Sequence, residues 1–430
     1  MNARKPASAR PQTTVVLGML ALMFVVFIIL FPDKAFQASL QGLNVWWKLV
    51  FPALLPFFIL TEIMAGMGVI HGIGKLLEPL MRRMFGLPGA GGWPLAVGWI
   101  AGFPGGAAAT QTIAADKLVR PHEADKLLAL SHTCSPIFLM TVVGVGFLQN
   151  PRLGLVLAVI HYASAAVLAL IAARFRSAAG AVDTAADEPR SPWLEHPDPG
   201  AGLLAKAMFA IKLAQRNDGR TFGKLLGDSV VSAVQNLMAI GGYMMMFSVL
   251  IAVIHLSGLI EWISRLSGAI GISPEAAYQL LTLILPALTE VHLGAFAISQ
   301  SDALPPIWQA ALLSAGLAWG GSSAHLQIKS LTAGIGIRFA RFIGLRALHA
   351  LLAFITTLIA WTPLNRYFVG AEPSFFSLTG GAGIDSGTHA LKNGLWFLIS
   401  PMMLQLAVIL LFLLVLSIGI SFIWRNRQGE

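Results

Sequence analysis

A chain of 430 residues that is 56% hydrophobic and only 11% charged, with a mean hydropathy of +0.74, is built for a bilayer and not for water. Its single cysteine, Cys134, excludes an intrachain disulfide, and no His/Cys cluster at ligand spacing suggests a metal. The net charge of +9 is scattered over short loops between apolar runs, so it reads as membrane topology and not as a nucleic-acid surface.

Apolar runs long enough to cross roughly 30 Å of hydrocarbon occur at about 14–31, 50–70, 132–149, 152–174, 228–255, 306–327, 343–364 and 394–424. They predict an all-α polytopic membrane protein with about eight full spans. The first run follows Arg4, Lys5 and Arg10, but no small-residue cleavage pattern comes after it, so it reads as an anchor and not as a secretory signal. Trp46, Trp47 and Trp361 suit the membrane interfaces. Gly74 to Met84 predicts an amphipathic helix on the cytoplasmic surface, with Arg82 and Arg83 on anionic headgroups and a role in substrate entry as the alternative.

Two further apolar segments are broken. The first, about 90–115, carries Gly102, Pro104, Gly105 and Gly106; the second, about 277–300, carries Pro286, Thr289, Glu290 and His292. Each reads as a re-entrant helical hairpin, because exposed backbone survives at membrane depth only beside protein or a water-filled cavity. With both termini cytoplasmic and eight spans, only 6 of 29 Lys and Arg fall outside (Lys34, Lys48, Arg152, Arg265, Arg366 and Lys392). Counting either hairpin as a full span would move Lys329, Arg338, Arg341 and Arg346 to the wrong side.

The order of segments repeats. Val69-Ile70-His71 matches Val253-Ile254-His255, Gly86-Leu87-Pro88 matches Ile272-Ser273-Pro274, and Ser135-Pro136 falls where Ser322-Ser323 falls. Three spans per half is an odd number, which predicts an inverted repeat with the hairpins meeting from opposite faces. The expected layout is an anchor and amphipathic segment at 1–49, a first repeat at 50–175, and a cytoplasmic linker at 176–226. A second repeat at 227–364 and an external loop with a final span at 365–430 complete it. Within the linker, Leu203 to Leu213 predicts a helix lying on the inner surface.

Four motifs carry a family resemblance: Phe51-Pro52-Ala53-Leu54-Leu55-Pro56-Phe57-Phe58, Gly102-Phe103-Pro104-Gly105-Gly106-Ala107, Glu123-Ala124 with Ser135-Pro136-Ile137-Phe138, and Gly320-Gly321-Ser322-Ser323-Ala324-His325-Leu326-Gln327. In this order, over about 40–362, the chain resembles the sporulation integral membrane protein YlbJ family, with nucleoside-recognition (gate) repeats related to concentrative nucleoside transporters. The resemblance implies a spore-associated transporter in the bacterial cell membrane or forespore membrane, with dipicolinate as a candidate solute. The chain departs from the pattern at Gly106-Ala107-Ala108, where a polar residue is expected, and at Thr289-Glu290-Val291-His292, where a small polar pair usually follows the Glu.

Glu290 is the sharpest single residue, because a carboxylate at the bilayer centre costs roughly 2.5–3.5 kcal/mol on insertion scales unless paired or hydrated. It would bind a coupling cation or proton, or a ligand; water at a shallow hairpin tip is the competing account. His292 is the second coupling candidate, since imidazole changes charge near neutral pH. Gly102, Pro104, Gly105 and Gly106 would unwind the first tip and offer amides to an anion, or else pack helices closely. Ser135, Asn236, Thr289, Ser322, Ser323 and Gln327 are expected around the same solute, with Gln235 and His325 nearby. Interhelical bonding is the alternative for all of them, and for Glu62. His349 is expected at the membrane interface.

No peptidase or hydrolase motif is present, so no enzyme activity is expected. The reading is a membrane transporter working by alternating access on a small anionic or nucleoside-like solute, without cofactor, Na⁺ or H⁺ coupling being compatible with it. A homo-oligomer also fits. The rivals are a structural or assembly protein of the spore envelope and a lipid-modifying membrane enzyme.

Overall fold

The computed structural model describes residues 11–174 and 201–368. The expected loop from 369 onward, the span at 394–424 and the first part of the linker lie outside the described residues. Every element is helical, and the described residues contain no strand. Helix α1 (Pro11–Leu30) leads into the long α2 (Pro32–Gly66), which runs through the boundary expected at 49/50. Inside α2 one wide turn occurs at Trp46–Val50, where the amide of Phe51 donates to the carbonyl of Trp46 just before Pro52. Proline brings no N–H to the ladder, so the helix changes register there.

Gly68, at φ +77°, turns the chain into α3 (Val69–Leu76). The amphipathic segment thus starts before the expected Gly74 and breaks at Leu77. Glu78 holds Lys75 at 2.9 Å and Arg82 at 3.0 Å, so one of the two arginines assigned to lipid, Arg82, is paired within the protein. Next come α4 (Gly92–Ala101), α5 (Gly105–Ala115), α6 (Pro121–Ser131), the π-helical α7 (Phe138–Phe147) and α8 (Pro151–Arg174). The α6 start is fixed by Pro121 in its first turn and by the Glu123 carboxylate, which accepts from the Arg120 amide at 2.7 Å.

Helix α9 (Leu203–Asp218) occupies the expected linker helix and extends past it, and α10 (Phe222–Leu256) begins before the boundary at 226/227. The chain continues with Gly258 at φ +72°, α11 (Leu259–Leu266), the hairpin α12 (Pro274–Thr289) and α13 (Val291–Ser299), α14 (Pro306–Trp319), α15 (Gly321–Leu331) and α16 (Phe339–Tyr367). Ser273 caps α12 by accepting from the Ala276 amide at 3.2 Å.

Among the described residues, four helices are long and apolar enough to cross a membrane: α2, α8, α10 and α16. Two expected spans are not continuous helices. The run at 132–149 opens on a break, His132 to Ser135, and is helical only from Pro136, while the run at 306–327 is interrupted at Gly320, φ +89°. Averaged hydropathy conceals such breaks, because His132, Gly320 and Gly321 sit among strongly apolar neighbours.

Helices α2 and α10 lie antiparallel. Ser248 donates to the Ala38 carbonyl at 2.7 Å, Trp46 Nε1 to the Leu237 carbonyl at 2.9 Å, and Ser232 to Glu62 Oε1 at 3.2 Å. Trp46 is therefore a buried tie, not an interfacial residue; its ring fills the space that the missing side chain of Gly241 leaves. Trp47 is exposed. The interfacial position expected for His349 is also wrong: it is fully buried, and its Nε2 is 3.1 Å from Ser164 Oγ on α8.

Candidate functional site

Both hairpins turn sharply. In the first, α4 ends at Gly102, whose φ of +79° with ψ of −172° is glycine territory, and α5 restarts at Gly105. The tip lies on the α6–α7 break: the Phe103 amide donates to the Thr133 carbonyl at 3.1 Å, and a Cβ on Gly102 would lie 3.2 Å from the Ser135 amide. Not all tip amides are open to a ligand, as the Gly106 amide donates to the Gly102 carbonyl at 3.3 Å. Gly106 serves packing, because a Cβ there would run into the Ser131 carbonyl. Gly105 is half-buried beside Ala101 and Val97, and Pro104 is exposed at the tip.

In the second hairpin only Glu290 leaves the helix, in extended backbone (φ −143°, ψ 125°). Its side chain is 3% exposed, and both carboxylate oxygens have partners. Oε2 accepts from the Leu293 amide at 2.8 Å, capping α13, and Oε1 lies 2.7 Å from His292 Nδ1. A carboxylate at a helix N-terminus meets free amides and the positive end of the helix dipole. An ionised Glu290 therefore fixes the proton of His292 on Nδ1. Gly294 lets the arms close, since its missing side chain faces Ala287 directly.

The second tip packs on the α14–α15 break. A Cβ on Gly321 would lie 2.9 Å from the Val291 amide, and Ser322 Oγ donates to the Thr289 carbonyl at 3.3 Å. Thr289 turns its hydroxyl back to the Leu285 carbonyl at 2.9 Å. The two breaks meet each other, for a Cβ on Gly320 would lie 2.7 Å from His132 Nε2.

These four interruptions surround a cavity of about 560 Å³, open mouth included. Gly102, Pro104, Ser135, Glu290, His292, Ser323 and Gln327 line it. Gly105, Gly106, Thr289 and Ser322 stand in the supporting layer. Asn236 is exposed one helical turn before the lining residue Ile240, with Gln235 exposed beside it. Phe58, Phe103, Phe138 and Tyr243 were not expected in the site; they supply aromatic faces beside the polar groups. The Phe138 ring meets His292 edge-on, with centroids 4.9 Å apart. Cys134 also lines the cavity; its Sγ donates to the Leu317 carbonyl at 3.4 Å. Polar groups converging in an otherwise apolar concavity are what a small-molecule site requires. Glu62 instead bonds Ser232, away from the lining.

Fold and site together define an all-helical integral membrane protein with interrupted helices gathered around one central cavity. A gate model described as "Nucleoside recognition" matches residues 47–181. The sporulation integral membrane protein YlbJ of Bacillus subtilis (strain 168) is 32% identical over 354 residues, covering 82% of this chain and 83% of that protein. The chain belongs to the YlbJ family of sporulation integral membrane proteins. Solved structures of a CNTnw variant are also similar. Its intermediate 1 state has a TM-score of 0.47 at 14% identity, with 81% of this chain and 88% of that chain covered. Its intermediate 2 state has 0.45 at 16%, with 81% and 87% covered.

Proposed function

We propose that the protein is a transporter that moves a small anionic or nucleoside-like solute through the central cavity by alternating access. The observation that carries this reading is the meeting of two hairpin tips and two interrupted helices at one cavity lined by Ser135, Glu290, His292, Ser323 and Gln327. Unwound backbone at membrane depth is tolerated where it lines a cavity, and transporter sites use such breaks. In this account the hairpins are re-entrant, and the runs α2–α8 and α10–α16 are inverted repeats that rock against each other. Both chain ends lie in the cytoplasm. The matched gate model supports a nucleoside-sized solute, and membership of the sporulation family supports a role in the forespore membrane, with dipicolinate the first solute to test.

Glu290 does not meet the solute as a bare carboxylate, since its oxygens are engaged by Leu293 and His292. His292 is the group presented to the cavity, and a proton on its ring, balanced by Glu290, makes it a donor to an anion. H⁺ or Na⁺ coupling through this pair is part of the proposal, supported by the 2.7 Å contact between the two side chains. The test is uptake of radiolabelled dipicolinate and nucleosides into vesicles carrying the purified protein. Uptake of either by the parent, lost in Glu290→Gln, is the expected result. Uptake unchanged in Glu290→Gln would remove Glu290 from the mechanism, and a parent that carries neither would remove these solutes.

A further inference from the structure

Behind the cavity wall lies a second polar cluster. Arg346, on α16, is 1% exposed. Its Nη1 donates to the Ala129 carbonyl at 3.3 Å, while Nε and Nη2 have no partner. No acidic side chain among the described residues pairs with it; the nearby buried acid, Asp125, goes to Arg341 at 3.8 Å and the Arg338 amide at 2.8 Å. His349 follows Arg346 on the same helix with its ring 5.0 Å from that of His161, and the His132 ring meets Phe342, one turn before Arg346, edge-on at 5.4 Å. Both ring nitrogens of His132 lack a partner, as does Nδ1 of His161 and of His349.

The cluster is one residue away from the cavity. His132 stacks on Phe103 with centroids 4.7 Å apart, and Phe103 and Cys134 are lining residues. His161 Nε2 accepts the Cys134 amide at 3.2 Å. The cluster thus sits where the first hairpin tip and both broken helices join.

A guanidinium keeps its proton under all ordinary conditions, so burial cannot be relieved by neutralising it. A buried charge needs a partner, and in a membrane protein it marks function by default. The free nitrogens are also arranged for one kind of partner. Nε–H and Nη2–H form a single edge of the guanidinium and point the same way, which is the fork that takes a planar oxyanion through two parallel hydrogen bonds.

We propose that the Nε–Nη2 edge of Arg346, with His132, forms a buried anion subsite that accepts a carboxylate-type anion directly behind the wall of the central cavity. The anion is either the carboxylate of the solute or a free inorganic anion. The first case rests on the transport reading above and deepens it; the second does not need it.

Chloride serves as the probe. Line broadening of ³⁵Cl is measured on the purified full chain in detergent for the parent, Arg346→Gln, Arg346→Lys and His132→Asn, each checked by gel filtration and circular dichroism. The parent should broaden the line saturably. Arg346→Gln should weaken binding about tenfold or more, and Arg346→Lys, which keeps the charge without the fork, should fall between. If Arg346→Gln does not fold, His132→Asn carries the test with a loss of a few fold. Dipicolinate added to the parent then separates the sources: narrowing of the line puts the solute's carboxylate at Arg346, and persistence means a resident inorganic anion. Absence of saturable broadening in the parent, together with dipicolinate affinity equal in parent and variants, would overturn the subsite. Chloride bound at Arg346 in a protein that carries neither solute would remove these solutes and leave the subsite standing, and uptake without anion binding would sink only the subsite.

Discussion

The two hairpin tips hold comparable places around one cavity and are made of different materials. The first turns on Gly102 and Pro104 and presents backbone, an aromatic ring and no charge, whereas the second turns on Glu290 and presents a carboxylate bonded to an imidazole. An uncharged backbone turn whose amides are bonded, as those of Phe103 and Gly106 are, brings no charge to bury and can fix the shape of a cavity. A carboxylate there needs donors for both oxygens, and Leu293 and His292 supply them. Shape and charge are thus handled by different halves of the molecule, so substitutions at the two tips should fail in different ways.

The largest effect belongs to the first tip. Gly106→Ala drives a methyl group into the Ser131 carbonyl and should destabilise the protein by about 1–3 kcal/mol, read as a lower thermal midpoint in detergent and poor yield. Normal stability would break the comparison, because the first tip would then not depend on close packing. Glu290→Gln should leave yield near normal while uptake falls between about ten- and a hundredfold, the loss expected when one charged hydrogen-bond partner is removed. His292→Asn should cost about tenfold in uptake, whereas uptake like the parent's would separate His292 from the solute. Ser323→Ala, which removes one hydroxyl from the lining, should weaken solute binding by a few fold in equilibrium titrations.

The smallest effect lies away from both tips. Arg220, between α9 and α10, grips Asp218 through Nε at 2.8 Å and Nη2 at 2.7 Å, and reaches Asp228 at 3.1 Å. Its hydrogen bonds hold the Asp218 carboxyl below the usual carboxylate range. A lowered folded-state value gives stability that is present above the unfolded-chain value and lost as pH falls through the folded one. Arg220→Ala should therefore lower stability near neutral pH by on the order of 0.5 kcal/mol, with the difference closing in acid. Melting curves at two pH values check this, and uptake should not change.

Both hairpins were legible in the sequence because Gly, Pro and Glu interrupt runs that are otherwise apolar. The breaks at His132–Ser135 and Gly320 were not, since each lies inside a run whose average hydropathy suits a full span; Pro136 and the pair Gly320-Gly321 were the available signals. Polar lining residues could be named from the motifs, but the aromatic half of the cavity could not, because Phe58, Phe138 and Tyr243 look like any lipid-facing or core residue. Arg346 was read as one more basic residue at a cytoplasmic end. Its burial follows from the packing of α16 against α8 and α14, a tertiary fact with no local signature.

The central claim is that one cavity between the tips opens to both sides of the membrane. Its direct test places a cysteine at Ser323 in a Cys134→Ala background and treats oriented vesicles with a membrane-impermeant methanethiosulfonate reagent from either side, with and without solute. Labelling from both sides, slowed by a transported solute, is the predicted result. Labelling from one side only, at a rate indifferent to any solute the vesicles carry, would contradict it.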